Sequence, residues 1–476
     1  MKPGWELVIG LEVHCELKTA TKLFCGCPNA FGDQPNTNVC PVCLGLPGSL
    51  PVLNQKAVEL AMAIGTALNC EIRPSAFHRK NYFYPDQAKD YQISQYDEPI
   101  NVDGHLDLPD GTTVGIERAH MEEDTGKTTH AGASGRIHGA DYSLVDYNRS
   151  GVPLVEIVSR PDMRNSAQAR AYATELRAVL VASGASDGKM EEGSMRVDAN
   201  VSVRRSSNDP FGTRCEIKNL NSVRSLGRAI DYEADRQIAL VESGEQVVQQ
   251  TRHWDEDAGR TQTLRSKEDA YDYRYFLEPD LVPLVPDGEW IRAVADTMAP
   301  MPAVRRARLV TLMGEQSSGS LVDQVSTVVD LGLDPLVLAA AAAGVSPGLA
   351  LARTANEAAN DAEAARGLDV ESYVALLSLE ADGSLTATQS KAVLAEMLAN
   401  GGEPAAIAAE KGFEALSEDS LVAAVSDTIA ALPDEWARFC AGDEKVGGRL
   451  IGMVMKATSG QADGKAVRAE LERRRT

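Results

Sequence analysis

The sequence predicts an α+β protein in which a largely antiparallel sheet occupies the first part of the chain and helices occupy the rest. Up to about residue 295, short β-like runs alternate with turns rich in Gly, Asn and Asp. From about residue 296 the chain is rich in Ala and Leu and has the pattern of consecutive helices. A chain of 476 residues is too long for one hydrophobic core. We therefore predict three domains, at residues 1–295, 296–405 and 406–476.

The first predicted strand carries a face of ionisable side chains. Glu12, His14 and Glu16 follow one another at period two, and the run 7–13 around the first of them is mostly apolar. Side chains two residues apart point to the same face of a strand. Carboxylates and an imidazole therefore share one face, which indicates an enzyme that handles a metal ion.

Four cysteines follow this strand in two short pairs. Cys25 and Cys27 form C-x-C, and after twelve further residues Cys40 and Cys43 form C-x-x-C. Tetrahedral zinc takes four thiolates from two such knuckles, and the loop 28–35 between them is rich in turn-forming residues. We predict a structural zinc site, with unmetallated thiols or two disulfides as the alternatives. The other cysteines, expected in the core, are Cys15, Cys70, Cys215 and Cys440.

Periodicity predicts the elements further along the chain. Residues 166–183 and 222–243 have helical patterns, and Asn221 or Ser222 is suited to cap the second helix. Residues 197–204 alternate between apolar and polar side chains, as a half-buried strand does. The first half of the chain therefore mixes helices with a sheet.

Acidic side chains accumulate in this first half. Hard cations such as Mg²⁺ need several oxygen ligands, often carboxylates shared with substrate phosphates. The candidate ligands are Glu12, His14, one of Glu122 and Glu123, and Glu156. Residues 216–222 lead from a strand into a helix, whose N-terminus can bind phosphate with help from Lys218. The alternative to the metal site is that these acidic residues are simply solvated. The alternative to the phosphate site is an ordinary capped helix.

The charge of the chain limits its function classes. The formal net charge is −22, which argues against a non-specific nucleic-acid binder, because phosphate contacts require Lys and Arg. Residues 440–476 nevertheless contain eight Lys or Arg and five Asp or Glu, a net charge of +3. A solvated helix end or a local phosphate-contacting surface explains this excess. We find no signal peptide and no apolar run that could span a bilayer, so a cytoplasmic protein is expected.

Several longer motifs occur in order along the chain. They are Ile9-Gly-Leu-Glu-Val-His14, the cysteine knuckles followed by Leu44-Gly-Leu-Pro-Gly48, Lys80-Asn-Tyr-Phe-Tyr-Pro-Asp86, residues 120–127, Val145-Asp-Tyr-Asn-Arg149, Lys189-Met-Glu-Glu-Gly193, residues 196–204, residues 216–222, Asp272-Tyr-Arg-Tyr-Phe276, Val454-Met-Lys-Ala-Thr458 and Gly460-Gln-Ala462. Together they resemble the B subunits of the glutamyl/aspartyl-tRNA amidotransferases over essentially the whole chain. The chain departs from the family pattern at Gln87-Ala-Lys89-Asp90, and at Leu277 where the family usually has Pro.

The resemblance implies an ATP- and Mg²⁺-dependent enzyme that acts on mischarged Glu-tRNA(Gln) or Asp-tRNA(Asn). A cradle-shaped kinase domain would phosphorylate the side-chain carboxylate, and channelled ammonia would then displace the phosphate. The partners would be the amidase (A) and small (C) subunits of a heterotrimer. The helical domains, the last of them YqeY-like, would contact the tRNA. A non-catalytic tRNA-binding scaffold is the alternative, and the sequence leaves open which of the two tRNAs is used.

The resemblance also implies roles for individual residues. The metal ligands would be Glu12, His14, Glu123 and Glu156, with Glu122 as a substitute. Two lysines match residues associated with the ammonia passage, namely Lys80 and Lys89. The contacts to ATP would come from Asp198, Asn200, Arg204, Lys218 and Asn219.

Overall fold

The computed structural model describes residues 2–132, 140–266, 273–314, 319–413, 418–458, 462 and 464–475. They form two compact units, Met1–Met301 and Pro302–Thr476. The predicted α+β class is confirmed, because the strands lie in the first unit and the second is helical. Parts of two family motifs, Asp272 and Gly460-Gln461, lie outside the described residues.

The first unit is built around a large sheet. The strands of this unit are β1 (Glu6–Glu16), β2 (Glu71–Ile72), β3 (Phe77–Asn81), β4 (Tyr91–Gln95), β5 (Asn101–Asp107), β6 (Thr113–Glu123), β7 (Lys127–Ala131), β8 (Tyr142–Asp146), β9 (Pro153–Ser159), β10 (Met195–Arg204), β11 (Cys215–Leu220), β12 (Gln250–Asp255), β13 (Arg260–Ser266) and β14 (Phe276–Leu277). Its helices are α1 (Gln55–Ala67), α2 (Ser166–Ala182), α3 (Val223–Glu242) and α4 (Gly288–Asp296).

The strand order of the large sheet is β13-β12-β11-β10-β1-β9-β6-β4-β3-β14, with β5 also paired to β6 and β2 to β5. Strands β7 and β8 form a separate hairpin. Strands β11 and β12 run parallel, and the other strand pairs of the described residues run antiparallel. The prediction of a largely antiparallel sheet is therefore confirmed.

The two faces of this sheet differ in chemistry. On β1, Ile9, Leu11 and Val13 are at most 1% exposed and belong to the hydrophobic core of the unit. The same core contains the inward residues of α1, α2 and α3, including Tyr172 and Leu226. Because strand side chains alternate, the intervening polar residues of β1 lie on the opposite face, where the candidate site is found.

The predicted helices of the first unit are confirmed at residues 166–182 and 223–242. The N-cap of α3 is Ser222, whose hydroxyl accepts a hydrogen bond from the backbone N–H of Ser225 at 3.0 Å. Asn165 caps α2 in the same manner. These caps satisfy backbone donors that a helix N-terminus otherwise leaves free, so both helices begin where the sequence supplies a capping side chain.

The second unit is helical. Its elements are α5 (Pro302–Met313), α6 (Gly319–Asp330), α7 (Asp334–Ala342), α8 (Pro347–Asn356), a 3₁₀ turn (Ala358–Asp361), α9 (Ala362–Arg366), α10 (Val370–Ala381), α11 (Ala387–Asn400), α12 (Pro404–Glu410), α13 (Glu418–Ala431), α14 (Pro433–Cys440), α15 (Glu444–Ala457) and α16 (Gly464–Arg475). One hydrophobic cluster contains buried residues from Leu309 to Ala408, and another contains buried residues from Val425 to Leu471. The predicted domain boundaries near 295 and 405 stay predictions.

Among the described residues, we find no individual helix with the length and apolar character that a membrane crossing requires. One pair of helices, Ser320–Asp330 and Asp334–Ala342, satisfies the length and composition test together, with a bend of 110° between them.

Candidate functional site

The polar face of the sheet carries a row of ionisable side chains near its centre. The strand register places Glu12 opposite Asp198 and His14 opposite Glu156. Glu156 in turn lies opposite His120 on the next strand. Directly opposed residues project to the same side of a sheet. Four neighbouring strands, β10, β1, β9 and β6, therefore contribute to one cluster.

Short distances hold the centre of this cluster together. The Nε2 atom of His14 lies 3.3 Å from Glu156 Oε2 and 3.6 Å from Glu122 Oε1. The Nε2 atom of His120 lies 3.7 Å from Glu156 Oε2 and 3.9 Å from Glu122 Oε2. Ligand atoms of Glu12, His14 and Asp198 also lie within 4.8 Å of one another. The carboxylates and imidazoles thus form two adjoining groups that share His14.

The pKa values of the cluster reflect burial and like-charge repulsion. Burial and the neighbouring Glu156 raise the pKa of Glu12 above its usual range. Burial opposes the charge of His14, but hydrogen bonding to Glu156 and the charges of Glu122 and Glu12 outweigh it and raise its pKa to about 9. Burial lowers the pKa of His120. The cluster is therefore short of positive charge, and a cation placed among its oxygens would relieve the repulsion.

Glu122 and Glu123 lie on opposite faces of β6, because consecutive strand residues alternate. Glu122 faces His14 and His120, whereas Glu123 lies on the other face and its carboxylate contacts Lys89. The resemblance favoured Glu123 as a metal ligand and Glu122 as its substitute. The structure brings Glu122, and not Glu123, into the cluster.

The two predicted lysines have different surroundings. Burial disfavours the charge of Lys80, but the charges of Glu122, Glu156 and two neighbouring tyrosines together outweigh it and raise its pKa, so this ammonium adjoins the cluster. It also lies 4.9 Å from the ring centroid of Tyr273. Lys89 is buried against Glu123 on the other face of the sheet. The structure therefore brings Lys80 to the cluster and places Lys89 on the opposite face of the sheet.

The predicted ATP contacts divide into two groups. Lys218 Nζ lies 2.7 Å from Asp198 Oδ2, and the charge of Lys218 also acts on Glu12. Asn219, which has a positive φ of 68°, donates its side-chain amide to the backbone oxygen of Trp254 at 3.1 Å. These contacts place Lys218 beside the cluster and tie its neighbour to β12.

Arg204 and Asn200 lie further along β10. Arg204 Nε lies 2.6 Å from Glu6 Oε2. It is six residues from Asp198, or about 20 Å along an extended strand, so the structure does not bring Arg204 to the cluster. Asn200 pairs with Gly10 on β1 and with Glu216 on β11, between these two positions.

Sequence reasoning missed His120 and a cleft beside the cluster. His120 and Glu122 have the same period-two spacing as Glu12 and His14, and this signal could have identified them together. The cleft has a volume of about 680 Å³, and its lining includes Glu16, Arg149, Lys189 and Arg196. Its cationic residues come from separate segments of the chain, with Arg196 on β10 and Arg149 and Lys189 outside the strands and helices, so no local spacing marks them.

The four clustered cysteines have distances that suit a tetrahedral metal ion. Cys43 Sγ lies 3.5 Å from Cys25 Sγ, 3.6 Å from Cys40 Sγ and 3.7 Å from Cys27 Sγ. Four thiolates at 2.3 Å from zinc are about 3.8 Å apart, whereas disulfide sulfurs are about 2 Å apart. The thiols are free, so the disulfide alternative is not observed, and the donor set fits zinc.

A buried lysine lies against this cysteine cluster. Lys22 Nζ is 3.6 Å from Cys43 Sγ and 2.8 Å from the backbone oxygen of Asn38. The hydrogen bond from Cys25, followed by the charge of Lys22, lowers the pKa of the Cys43 thiol. A thiolate is the form that binds metal, so these contacts favour metal binding.

The remaining cysteines differ in burial. Cys15 and Cys215 are buried and Cys70 is partly buried, broadly as expected for core residues. Cys440 is exposed at the end of α14, so its predicted core position is wrong.

Comparison with known proteins identifies the class of the first unit. A family model described as the GatB/GatE catalytic domain matches residues 7–292, which include the whole ionisable row. A second model, described as a GatB domain, matches residues 349–474. The sheet unit is therefore a catalytic domain of the GatB/GatE class.

Full-length relatives narrow this assignment. The B subunit of the aspartyl/glutamyl-tRNA(Asn/Gln) amidotransferase of Mycobacterium sp. (strain KMS) is 50% identical over 482 residues, covering 98% of this chain and 95% of the relative. That of Nocardia farcinica (strain IFM 10152) is 50% identical over 481 residues, with the same coverage of 98% and 95%. That of Mycobacterium bovis (strain BCG / Pasteur 1173P2) is 49% identical over 478 residues, covering 97% and 93%. The chain belongs to this family of amidotransferase B subunits.

We predict about one zinc ion per chain, because four thiolates can surround a tetrahedral metal here. Metal analysis of the purified protein should show this zinc, and Cys40→Ser should lose it. Cys70→Ser, at a cysteine outside the cluster, is the matched control and should keep it. Zinc content that Cys40→Ser leaves unchanged, or two disulfides found by mass spectrometry, would contradict the assignment.

Proposed function

We propose that this chain is the subunit that activates and amidates the side-chain carboxylate of mischarged Glu-tRNA(Gln), Asp-tRNA(Asn) or both. The observation that carries the proposal is the ionisable row on the polar face of the sheet, within a family of amidotransferase subunits. A scaffold that only binds tRNA has no use for buried carboxylates held against two imidazoles. A phosphoryl-transfer site has such a use, because its carboxylates hold the metal ions that neutralise the negative charge of the phosphates.

The proposed reaction has two steps. The substrate carboxylate attacks the γ-phosphorus of ATP, which releases ADP and leaves an acyl phosphate. Ammonia then attacks the carbonyl carbon, phosphate departs, and the side chain becomes an amide. The first step is needed because a carboxylate is a poor electrophile and an acyl phosphate is a good one.

The ionisable row fits the Mg²⁺ that such a reaction requires. Glu12, His14, Glu122 and Glu156 would hold it, with Asp198 at the edge of the group. The donor set is rich in carboxylate oxygens. The raised pKa of Glu12 indicates that its present neighbours do not compensate its negative charge, which a bound cation would do. When bound, Mg²⁺ shields the negative charge of the ATP phosphates.

Other residues of the chain position the reactants. Lys218 is held by Asp198 at 2.7 Å and Glu216 at 3.1 Å, so its ammonium is fixed beside the row and suited to a phosphate oxygen. Lys80 adjoins Glu122 from the other side and is suited to hold the substrate carboxylate. The cleft beside the row is lined by equal numbers of basic and acidic side chains, and its Arg149 and Arg196 both pair with Asp124, so it adds no net positive charge.

Ammonia in this proposal comes from glutamine, hydrolysed by the amidase subunit of a heterotrimer that also includes a small third subunit. The acyl phosphate hydrolyses readily, so ammonia must arrive by a route that excludes bulk water. Lys80 and Lys89 are proposed to lie along this route. Lys89 is 5% exposed in its side chain and contacts Glu123, which suits a route closed to solvent.

The helical tail is proposed to contact the tRNA. The side chains of Arg449, Arg468 and Arg473 on its helices are 58–68% exposed. Arg474, in contrast, donates to Val422 O at 2.9 Å and Ser426 Oγ at 2.7 Å, so it holds α16 on α13. The tail therefore combines exposed guanidinium groups with others that serve packing.

Glu12→Gln or His14→Ala should abolish amidation in the assembled complex, because each removes a proposed metal ligand. Glutamine hydrolysis by the partner should continue, since that chemistry belongs to another subunit. Glu6→Gln, on the same strand and face but paired with Arg204, is the control and should stay active. Product formation is followed with mischarged tRNA, ATP and glutamine. Loss of both activities in an assembled complex would count against the assignment.

Deleting residues 406–476 should raise the KM for mischarged tRNA several-fold, and amidation should recover at saturating tRNA. Removing each phosphate-binding side chain should also flatten the salt dependence of binding by about one unit of log–log slope. Tail deletion that lowers thermal stability but leaves tRNA binding unchanged over a salt titration would show that the tail serves packing alone.

A further inference from the structure

The second cysteine knuckle ends directly on the side chain of Lys89. Gly45 follows Cys43 by two residues and has a positive φ of 65°. A Cβ atom added at Gly45 would lie 2.5 Å from Lys89 Cγ, closer than such atoms approach one another, and 3.1 Å from Lys89 Cα, which is a tight contact. Only glycine therefore lets the knuckle rest on the lysine stem without a shift.

Lys89 is held from several sides. Its ammonium contacts the Glu123 carboxylate, whose Oε1 also accepts the backbone N–H of Ile93 at 2.9 Å. The ring centroid of Tyr91 lies 5.2 Å from Lys89 Nζ, and that of Phe24 lies 5.9 Å away. Phe24 directly precedes Cys25, so both knuckles of the cysteine cluster bound this lysine.

The knuckle itself is a tight, anchored turn. The backbone N–H of Leu44 donates to Cys40 O at 3.1 Å, and that of Leu46 donates to Pro41 O at 2.9 Å. Cys43 is further fixed by its sulfur neighbours and by the buried Lys22. Because protein interiors are close-packed, a rigid turn of this kind restricts the positions of the side chains that it contacts.

We propose that Gly45 is a positioning residue, through which the metal-bound knuckle sets the place of the Lys89 ammonium on Glu123. The cysteine cluster then has a second role beside folding, because it forms the wall that keeps this buried ion pair in register. This inference rests on the proposed function, in which Lys89 lies along the ammonia route. It predicts that a small change at Gly45 impairs the use of glutamine-derived ammonia.

The test compares Gly45→Ala with Gly48→Ala in the assembled complex. Gly48 also has a positive φ, of 83°, and lies in the same loop, but an added Cβ there meets no described atom within 4 Å. Both positions have a positive φ, which an alanine side chain disfavours, and only the first meets Lys89. The readouts are zinc content, partner glutaminase activity, and the ratio of glutamine-driven to ammonium chloride-driven amidation.

Gly45→Ala should keep its zinc and the glutaminase activity but lower the ratio at least five-fold, whereas Gly48→Ala should match the wild type. Lys89→Ala should lower the ratio as well, and adding Gly45→Ala to it should change the ratio little further, since the two act through one contact. A ratio unchanged by Gly45→Ala, or lowered equally by Gly48→Ala, would overturn the inference.

Two further outcomes are decisive. If Lys89→Ala leaves the ratio unchanged, the proposed role of Lys89 in the ammonia route is wrong and the inference fails with it. If Gly45→Ala does not assemble, the double variant with Lys89→Ala should assemble again, because alanine lacks the Cγ that an added Cβ would strike. Continued failure to assemble would contradict the steric clash as the cause.

Discussion

The alternation of side chains along β1 is the constraint on which both the fold and the site depend. Ile9, Leu11 and Val13 must face the helices to be buried, and this requirement directs Glu12 and His14 to the other face. A one-residue slip against β9 or β10 would move the apolar residues into solvent and bury the charged ones in the core. The packing that stabilises the sheet therefore also fixes the register of the ionisable row.

The same constraint explains the charge imbalance of the site. Neighbouring strands bring carboxylates within a few ångströms of one another, and burial makes their common ionisation unfavourable. His14 offsets part of this charge, while burial keeps His120 in its neutral form near neutral pH. A bound cation would supply the rest, which is the reason that we propose a metal site here. On the opposite face, Lys89 and Glu123 neutralise each other without such help.

The sequence predicted those features that depend on local spacing, and it failed where the answer depends on register between strands. Period two was sufficient to place Glu12 and His14 on one face, and the cysteine spacing was sufficient to predict a four-thiol cluster. Choosing between Glu122 and Glu123 requires knowing which of them shares a face of the sheet with Glu156 on β9, which depends on the pairing of the two strands. Arg204 lies in a matching motif but six residues along the strand from Asp198, and only the extended geometry separates them.

The most direct test of the central claim is a titration of the intact complex with Mn²⁺ as a paramagnetic substitute for Mg²⁺, followed by electron paramagnetic resonance. The ionisable row predicts that Glu122→Gln weakens Mn²⁺ binding at least ten-fold. The adjacent Glu123→Gln, on the opposite face of β6, should bind Mn²⁺ as the wild type does. Binding that is lost in Glu123→Gln and kept in Glu122→Gln would contradict this account of the site.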